Sequence, residues 1–167
     1  MAIRAVAMDV DGVLTDGTVG IDDSGHESKR LAFADIMGIS LGRRAGLAFA
    51  LISGEGGALF DAIAAKVGIT ETYPSCRDKA GALRDFATKH DLALAEVCFI
   101  GDDINDVPAF EICGLAVAPA DAHPTARARA TRVTALPGGG GSVREVIDGL
   151  ISSRWETEAT IGRSTLG

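Results

Sequence analysis

Three short, mostly apolar runs in this chain each end in small polar or acidic residues. They cover residues 3–10, 47–53 and 97–100, and a glycine follows each run within two positions. Apolar runs of this length are typical of parallel strands that are buried on both faces of a sheet. Ligands of open α/β sheets bind at the edge formed by the carboxyl ends of such strands, so the polar residues after these runs are candidates for a site.

Segments with the spacing of amphipathic helices separate these runs. We predict helices at 36–44, 58–67, 79–90, 123–130 and 143–150, and further short strands at 116–118 and 132–134. Residues 15–30 contain three glycines with β-forming residues between them, which predicts a small hairpin that is too short to be a domain. The alternation predicts an α/β fold on a doubly wound parallel sheet, with chemistry at its carboxyl edge.

Length and charge narrow the possible functions. The chain has 167 residues, and we predict one domain at 1–151 followed by a polar tail at 152–167 that is mobile or docks on a neighbouring subunit. A formal net charge of −7 argues against nucleic-acid binding, which requires clustered Lys and Arg. An acidic protein that handles phosphate needs a metal ion and a few placed cations to hold the anion.

Targeting signals and cysteines indicate the compartment. No N-terminal stretch combines basic residues, an apolar run and a cleavage site, and no apolar run is long enough to cross a bilayer. The three cysteines are isolated and form no CxxC pair, so we predict reduced thiols. We therefore expect a cytoplasmic protein without a membrane partner.

The end of the first run carries two carboxylates in a tight turn. Asp9 and Asp11 flank Val10, and Gly12 follows, where the backbone can turn and direct N–H groups at an anion. An ordinary turn rich in Asp and Gly is the alternative interpretation of this pattern taken alone.

Further candidates for binding phosphate and a metal ion follow the second and third runs and lie between them. Ser53 ends the second run and can donate its hydroxyl to phosphate, while Lys79 can neutralise phosphoryl charge. Asp102 and Asp106 follow the third run and supply the hard oxygen ligands that Mg²⁺ prefers.

These motifs together resemble a known family. The segments DVDGVLTDG (9–17), ISG (52–54), Lys79 and GDDIND (101–106) are similar to the four ordered motifs of haloacid dehalogenase phosphatases. The resemblance is nearest to the capless branch that hydrolyses 3-deoxy-octulosonate 8-phosphate and nonulosonate 9-phosphates, whose pattern Lys29, Asp35, 121–124 and 139–145 also match. It implies a Rossmann-like fold with no cap domain.

The resemblance implies a role for each matched residue. Asp9 attacks phosphorus to form an aspartyl-phosphate, while Asp11 protonates the leaving sugar oxygen and then activates water. Mg²⁺ would be held by the Asp9 carboxylate, the Asp11 backbone carbonyl and Asp102. Phosphate would meet Lys79, the Ser53-Gly54 turn and the N–H groups of Asp11 and Gly12. Asp103 and Asp106 would either hold metal-bound water or orient Lys79.

Other polar features receive structural interpretations. The glycines at 138–141 lack the Lys-Ser/Thr of a Walker loop, so a turn with subunit contacts is favoured over a phosphate-binding loop. The resemblance to the capless branch implies a structural or interface role near the site for Arg144. His26, His90 and His123 lack metal-ligand spacing and are not proposed as ligands.

Glu55 and Lys66 guide the substrate prediction. In place of a basic residue, Glu55 follows the Ser53-Gly54 turn, and with Lys66 it resembles an acid–base pair near the substrate in the nonulosonate branch. Ile36, in place of the usual glycine, is expected to change the pocket floor. We thus predict a nonulosonate 9-phosphate of the KDN or sialic acid type as substrate.

Three alternatives remain. They are 3-deoxy-D-manno-octulosonate 8-phosphate hydrolysis in lipopolysaccharide synthesis, phosphotransfer or phosphonate chemistry on the same fold, and a non-catalytic assembly domain related to sialic-acid-activating synthetases. The resemblance and the small hairpin also predict a homotetramer with active sites at subunit interfaces.

Overall fold

The computed structural model of the chain describes residues 2–152, and a six-stranded parallel sheet forms its centre. In chain order the strands are β1 (Ala5–Met8), β2 (Gly20–Ile21), β3 (Glu27–Ser28), β4 (Ala48–Ile52), β5 (Thr72–Tyr73), β6 (Val97–Ile100), β7 (Leu115–Ala118) and β8 (Arg132–Val133). The parallel sheet has the order β5-β4-β1-β6-β7-β8, whereas β2 and β3 form a separate antiparallel hairpin. Strand order reverses at β1, which therefore lies at the switch point where open α/β sheets bind ligands.

Helices cover both faces of the sheet. They are α1 (Phe33–Arg44), α2 (Ala58–Val67), α3 (Lys79–Lys89), α4 (Val107–Phe110), α5 (Pro124–Arg129) and α6 (Ser142–Ile151), with 3₁₀ turns at Leu94–Glu96 and Ile104–Asp106. Side chains of β1 alternate between two cores, because successive residues of a strand point to opposite faces. Val6 and Met8 pack with α1, α2 and α6, while Ala5 and Ala7 pack with α3, α4 and α5.

The observed architecture confirms the predicted α/β fold class with a doubly wound parallel sheet and a small hairpin. The two-residue strand β5 and the one-turn helix α4 were not predicted, and α1 begins at Phe33 rather than at residue 36. None of the helices within residues 2–152 has the length and apolarity needed to cross a bilayer. The predicted tail lies outside the described residues from 153 onward, and the domain boundary at 151 stays a prediction.

Candidate active site

The carboxyl ends of the three central strands bring the predicted residues together. β1 pairs with β4 on one side and with β6 on the other, so Asp9, Ser53 and Asp102 follow neighbouring strands. A cavity of about 350 Å³ opens at this edge. It is lined by Asp9, Asp11, Gly17, Ser53, Gly54, Glu55, Asp102, Asp103 and Asn105. Five of these are carboxylates, so the cavity is strongly acidic.

Asp9 is buried, and both of its oxygens have hydrogen-bond donors. Oδ1 accepts from the Val10 N–H at 2.7 Å, and Oδ2 accepts from Lys79 Nζ at 2.6 Å. The Asp9 N–H donates to the Ile100 carbonyl of β6, which fixes the residue to the sheet. The side chain is therefore held in one orientation at the base of the cavity.

Lys79 bridges two carboxylates at the start of α3. Its Nζ lies 2.6 Å from Asp9 Oδ2 and 2.6 Å from Asp106 Oδ1, and its side chain is only 1% exposed. Burial lowers the pKa of Lys79, but the two carboxylates outweigh it and the net shift is upward, so the ammonium stays charged. Asp106 Oδ2 accepts from the N–H groups of Asp102 and Asp103 at 2.8 and 3.1 Å. Of the two predicted options for Asp106, the geometry favours orienting Lys79.

The donor set fits a divalent cation. Carboxylate oxygens of Asp9, Asp102 and Asp106 all lie within 4.8 Å of one another. Burial raises the pKa of Asp9 to about 6, against the attraction of Lys79, and burial with repulsion from Asp9 and Asp106 raises the pKa of Asp102 to about 7. These upward shifts show that the negative charge of the carboxylates is not fully offset by positive charge nearby. A bound Mg²⁺ would offset it, and Mg²⁺ prefers hard oxygen ligands of this kind. Asp9 and Asp102 are the two carboxylates best placed to hold the ion, since both line the cavity and Asp106 does not.

Gly12 has a different role from the predicted one. Its N–H donates to Thr15 Oγ1 at 3.2 Å, so it is not the free phosphate donor that we expected. Among residues 2–152 the Asp11 N–H has no acceptor, which leaves it available to a ligand. Gly12 has a φ of +81°, and a Cβ there would collide with the Asp102 carboxylate. A glycine is therefore needed for Asp102 to approach the Asp9 turn.

Ser53 is 1% exposed and faces the cavity from the end of β4. Its Oγ accepts from the Glu55 N–H at 3.1 Å, so its own hydrogen remains available for donation. The Ser53 N–H donates to the Tyr73 carbonyl and its carbonyl accepts from the Cys76 N–H, which holds the turn firmly. The position is consistent with the predicted contact to a phosphate oxygen.

Asp11 is separate from the metal cluster. Its Oδ1 forms an ion pair with Lys29 Nζ at 2.7 Å, in the segment that leaves the hairpin. In the sequence Lys29 stands out only as part of a family resemblance, which implies no role for it. No local spacing signals this contact, because the hairpin lies between the two residues in the chain.

The predicted Glu55–Lys66 pair is not formed within residues 2–152. Glu55 lines the cavity, but Lys66 Nζ lies over the Phe33 ring, 5.7 Å from its centroid. The physical reason is the helix between them: Lys66 lies eight residues after the start of α2, about 12 Å along its axis. Ile36 also differs from expectation, since it packs against the hydrophobic core rather than forming the cavity floor.

The glycines at 138–141 support the Asp9 turn rather than forming a phosphate-binding loop. The Gly139 N–H donates to the Val13 carbonyl, and the Gly138 N–H donates to Asp121 Oδ1 at 2.9 Å. A Cβ at Gly138 would collide with the Gly12 carbonyl oxygen. The two backbones therefore touch directly, an arrangement that only glycine permits.

Arg144 has a structural role on α6. Its Nε donates to both oxygens of Asp148 at 2.9 and 2.8 Å, and its N–H donates to Asp35 Oδ1 at 2.9 Å. Asp35 of α1 is 1% exposed, and its carboxylate accepts this backbone N–H at the beginning of α6. Asp35 is therefore a distant helix cap, which the local sequence does not reveal. The predicted interface role of Arg144 stays a prediction.

Comparisons with known proteins agree with this geometry. Residues 50–146 match the haloacid dehalogenase-like hydrolase family. The 3-deoxy-D-manno-octulosonate 8-phosphate phosphatase of Escherichia coli K12 is 38% identical over 162 residues, covering 97% of this chain and 86% of that protein. The Moraxella catarrhalis enzyme of the same name, solved with magnesium, phosphate and KDO, has a TM-score of 0.87 at 30% identity and covers 96% of this chain and 92% of its own. The cobalt-bound deoxy-D-mannose-octulosonate 8-phosphate phosphatase of Haemophilus influenzae has a TM-score of 0.86 at 32% identity and covers 90% of this chain and 88% of its own.

The fold and the acidic site are those of a metal-dependent phosphohydrolase. The chain belongs to the haloacid dehalogenase-like hydrolase family and is a phosphoric monoester hydrolase, as its named relatives are. These relatives do not support the nonulosonate preference that we predicted from Glu55 and Lys66. They agree better with the eight-carbon alternative.

Proposed function

We propose that the chain hydrolyses 3-deoxy-D-manno-octulosonate 8-phosphate with Mg²⁺, using Asp9 as the nucleophile. The observation that carries this proposal is the position of Asp9, fixed at the base of an acidic cavity between Lys79 and Asp102. The names of relatives that align with nearly the whole chain support the choice of the sugar.

The reaction divides into two displacements at phosphorus. A carboxylate oxygen of Asp9 forms a bond to phosphorus as the bond to the sugar oxygen breaks, and Asp11 gives its proton to that leaving oxygen. Asp11 then takes a proton from water as the water oxygen displaces Asp9, which releases inorganic phosphate and restores both carboxyl groups.

Charge balance gives the other residues their proposed roles. Asp9, Asp102 and the Asp11 carbonyl would hold Mg²⁺, which would offset the repulsion between the Asp9 carboxylate and the phosphate dianion. Ser53 donates its hydroxyl to one phosphate oxygen and the Asp11 N–H donates to another. Lys79 keeps Asp9 ionised and in place, since its ammonium contacts the carboxylate directly. Gly54 and Glu55 line the cavity next to Ser53, and their contact with the sugar stays a prediction.

The substrate assignment has a direct test. With saturating Mg²⁺, kcat/KM is measured for the eight-carbon 8-phosphate and for nonulosonate 9-phosphates, with Asp9→Asn as the control for contaminating phosphatase. We expect the higher value for the eight-carbon sugar. A preference for the nine-carbon sugars would overturn this choice and favour the nonulosonate substrate, while activity of the Asp9→Asn variant comparable to wild type would reject the nucleophile.

The homotetramer remains part of the proposal. Apolar side chains are exposed on the hairpin and at the start of α1, with Ile21 67% and Phe33 80% exposed. Large apolar side chains left in solvent favour burial against another copy, and closed symmetry would complete every site by one repeated contact. Light scattering at assay concentration tests this, and an active monomer would exclude it.

A further inference from the structure

We propose that Lys29 is a positioning residue that holds the carboxyl group of Asp11 in place as this group gives its proton to the leaving oxygen and then takes one from water. The inference rests on the proposed acid–base role of Asp11 and adds a residue to it. Lys29 follows β3 directly, so the hairpin delivers its ammonium to the edge of the sheet where Asp9 and Asp11 lie.

The contact is unlike an ordinary surface ion pair. Lys29 Nζ lies 2.7 Å from Asp11 Oδ1, and the two side chains are 13% and 31% exposed. By comparison, the pair between Lys89 and Asp85 has the same length with both side chains about half exposed, at 54% and 52%. A lysine that gives up most of its contact with water for one carboxylate oxygen holds that carboxylate more firmly than a solvated one does.

The geometry leaves the other oxygen available for chemistry. Asp11 Oδ2 has no hydrogen-bond partner among residues 2–152, and the Asp11 carboxylate is not part of the cluster formed by Asp9, Asp102 and Asp106. Because Lys29 holds Oδ1, rotation of the carboxyl group is restricted, and Oδ2 is the oxygen left to carry the proton that Asp11, which lines the cavity, gives to the leaving group. An acid that is fixed within hydrogen-bond reach of the leaving oxygen transfers its proton more efficiently than a freely rotating one.

The hairpin is therefore more than a surface feature in this proposal. Its two strands have two residues each, and both are exposed. The Lys29–Asp11 contact ties this otherwise solvated element to the cavity. Conditions that move the hairpin would consequently alter proton transfer without altering Asp9 or the phosphate contacts.

The test uses the dependence on the leaving group. An alkyl phosphate needs its leaving oxygen protonated, whereas p-nitrophenolate leaves without help. We compare kcat/KM of the full-length enzyme with Mg²⁺ on 3-deoxy-D-manno-octulosonate 8-phosphate and on p-nitrophenyl phosphate. The variants are Lys29→Met, which keeps the apolar stem, Lys29→Arg, which keeps the charge, and the matched control Arg30→Met, which removes an exposed cation one position further on.

We expect Lys29→Met to lose about 10- to 100-fold on the alkyl ester and less than about threefold on the aryl ester, part of the usual contribution of general acid catalysis. Lys29→Arg should recover most of the alkyl rate, and Arg30→Met should leave both rates within about twofold. Equal losses of Lys29→Met on both esters, or no loss on either, would overturn the inference while the proposed function stands. A wild-type enzyme inactive on both esters would overturn both proposals.

Discussion

Helix α3 takes part in two networks of charged side chains that differ in burial and in the direction in which the pKa of their carboxylates is shifted. At its first residue, Lys79 lies between Asp9 and Asp106 with a side chain that is 1% exposed. Near its end, Lys89 pairs with Asp85 at 2.7 Å, and both side chains are about half exposed. This surface network continues to β5, where the Tyr73 hydroxyl lies 2.9 Å from Glu71, which also contacts His90.

The difference between the two networks indicates which charged residues serve catalysis. In the buried network three carboxylates share one ammonium, and burial raises the pKa of Asp9 and Asp102. In the surface network Lys89 and Asp85 are both solvated, and hydrogen bonds from Lys89 and Tyr73 hold the pKa of Asp85 below its usual range. An excess of buried negative charge is unfavourable for folding, but it attracts a cation that can in turn hold a phosphate. The surface network has no such need for a cation, because water solvates its exposed charges.

The largest expected effect is the loss of activity in Asp9→Asn. The amide keeps the shape of the side chain but cannot form the bond to phosphorus, so kcat should fall by at least about 10⁴-fold, as for other nucleophiles. Steady-state assays with saturating Mg²⁺ measure this, and Asp23→Asn, on the exposed hairpin turn, is the control. Near-normal activity of Asp9→Asn would contradict the view that the buried network is the one that carries out the chemistry.

The second expected effect is on stability as a function of pH and Mg²⁺. The pKa of Asp9 and of Asp102 is raised in the fold from 3.8 to about 6 and about 7. Stability from their protonation is thus full below about pH 4 and is lost as pH rises through about 6–7. The metal-free protein should melt at lower temperature at pH 8 than at pH 5. Mg²⁺ at about 100 times its Kd should raise Tm at pH 8 by about 5–10 °C.

The control for that measurement is Asp102→Asn. This variant removes one of the crowded carboxylates, so the metal-free protein should gain stability at pH 8 and lose most of its response to Mg²⁺. Differential scanning calorimetry with and without EDTA distinguishes the two proteins. An unchanged Mg²⁺ response in Asp102→Asn would contradict the proposed metal ligand.

A third, intermediate effect is expected for Asp106→Asn. Lys79 then loses its charged partner on one side, and the free energy of unfolding with saturating Mg²⁺ should fall by about 1.5–3 kcal/mol, the usual value of a hydrogen bond between charged groups. Urea unfolding measures the change. Because Asp106 does not reach the cavity, KM should change less than kcat, whereas a large rise in KM alone would indicate direct contact with substrate.

The smallest effect is expected in the surface network. Lys89→Met removes the charge but keeps the stem, and exposed ion pairs contribute little, so Tm should fall by less than about 3 °C. The difference should shrink further in 1 M salt, because salt screens exposed charges. Activity should stay within about twofold of wild type. A larger loss would show that the two networks on α3 are coupled.

Strand ends made most of the site predictable from sequence. Asp9, Ser53 and Asp102 each follow a short apolar run, and parallel strands place such ends side by side. The hairpin was equally clear, because its glycines and β-forming residues give a local signal. The predicted site residues that line the cavity are mainly those whose position follows from a strand and its turn.

Contacts between distant segments were not predictable in the same way. Lys66 was paired with Glu55 by resemblance, yet its side chain lies over Phe33. Asp35 caps α6 across 109 residues, and the Gly138 backbone supports Gly12. The spacing of residues in the sequence does not predict such contacts, since they depend on how the folded helices and strands pack against one another. The strand β5 is not predictable for another reason, because two residues are too few to show an alternating pattern of apolar and polar side chains.

The contact between Gly138 and Gly12 also bears on how the chain matures on the ribosome. The segment that holds Asp9 is synthesised well before its backbone support at Gly138, and at about 5–20 residues per second it waits about 6–25 s. Until β6 emerges, β1 also lacks one of its two neighbours, so an apolar strand stays open to wrong pairing or to a chaperone. We expect a stalled nascent chain that stops short of Gly138 to lack Mg²⁺-dependent phosphatase activity, although Asp9 and Lys79 have both been synthesised.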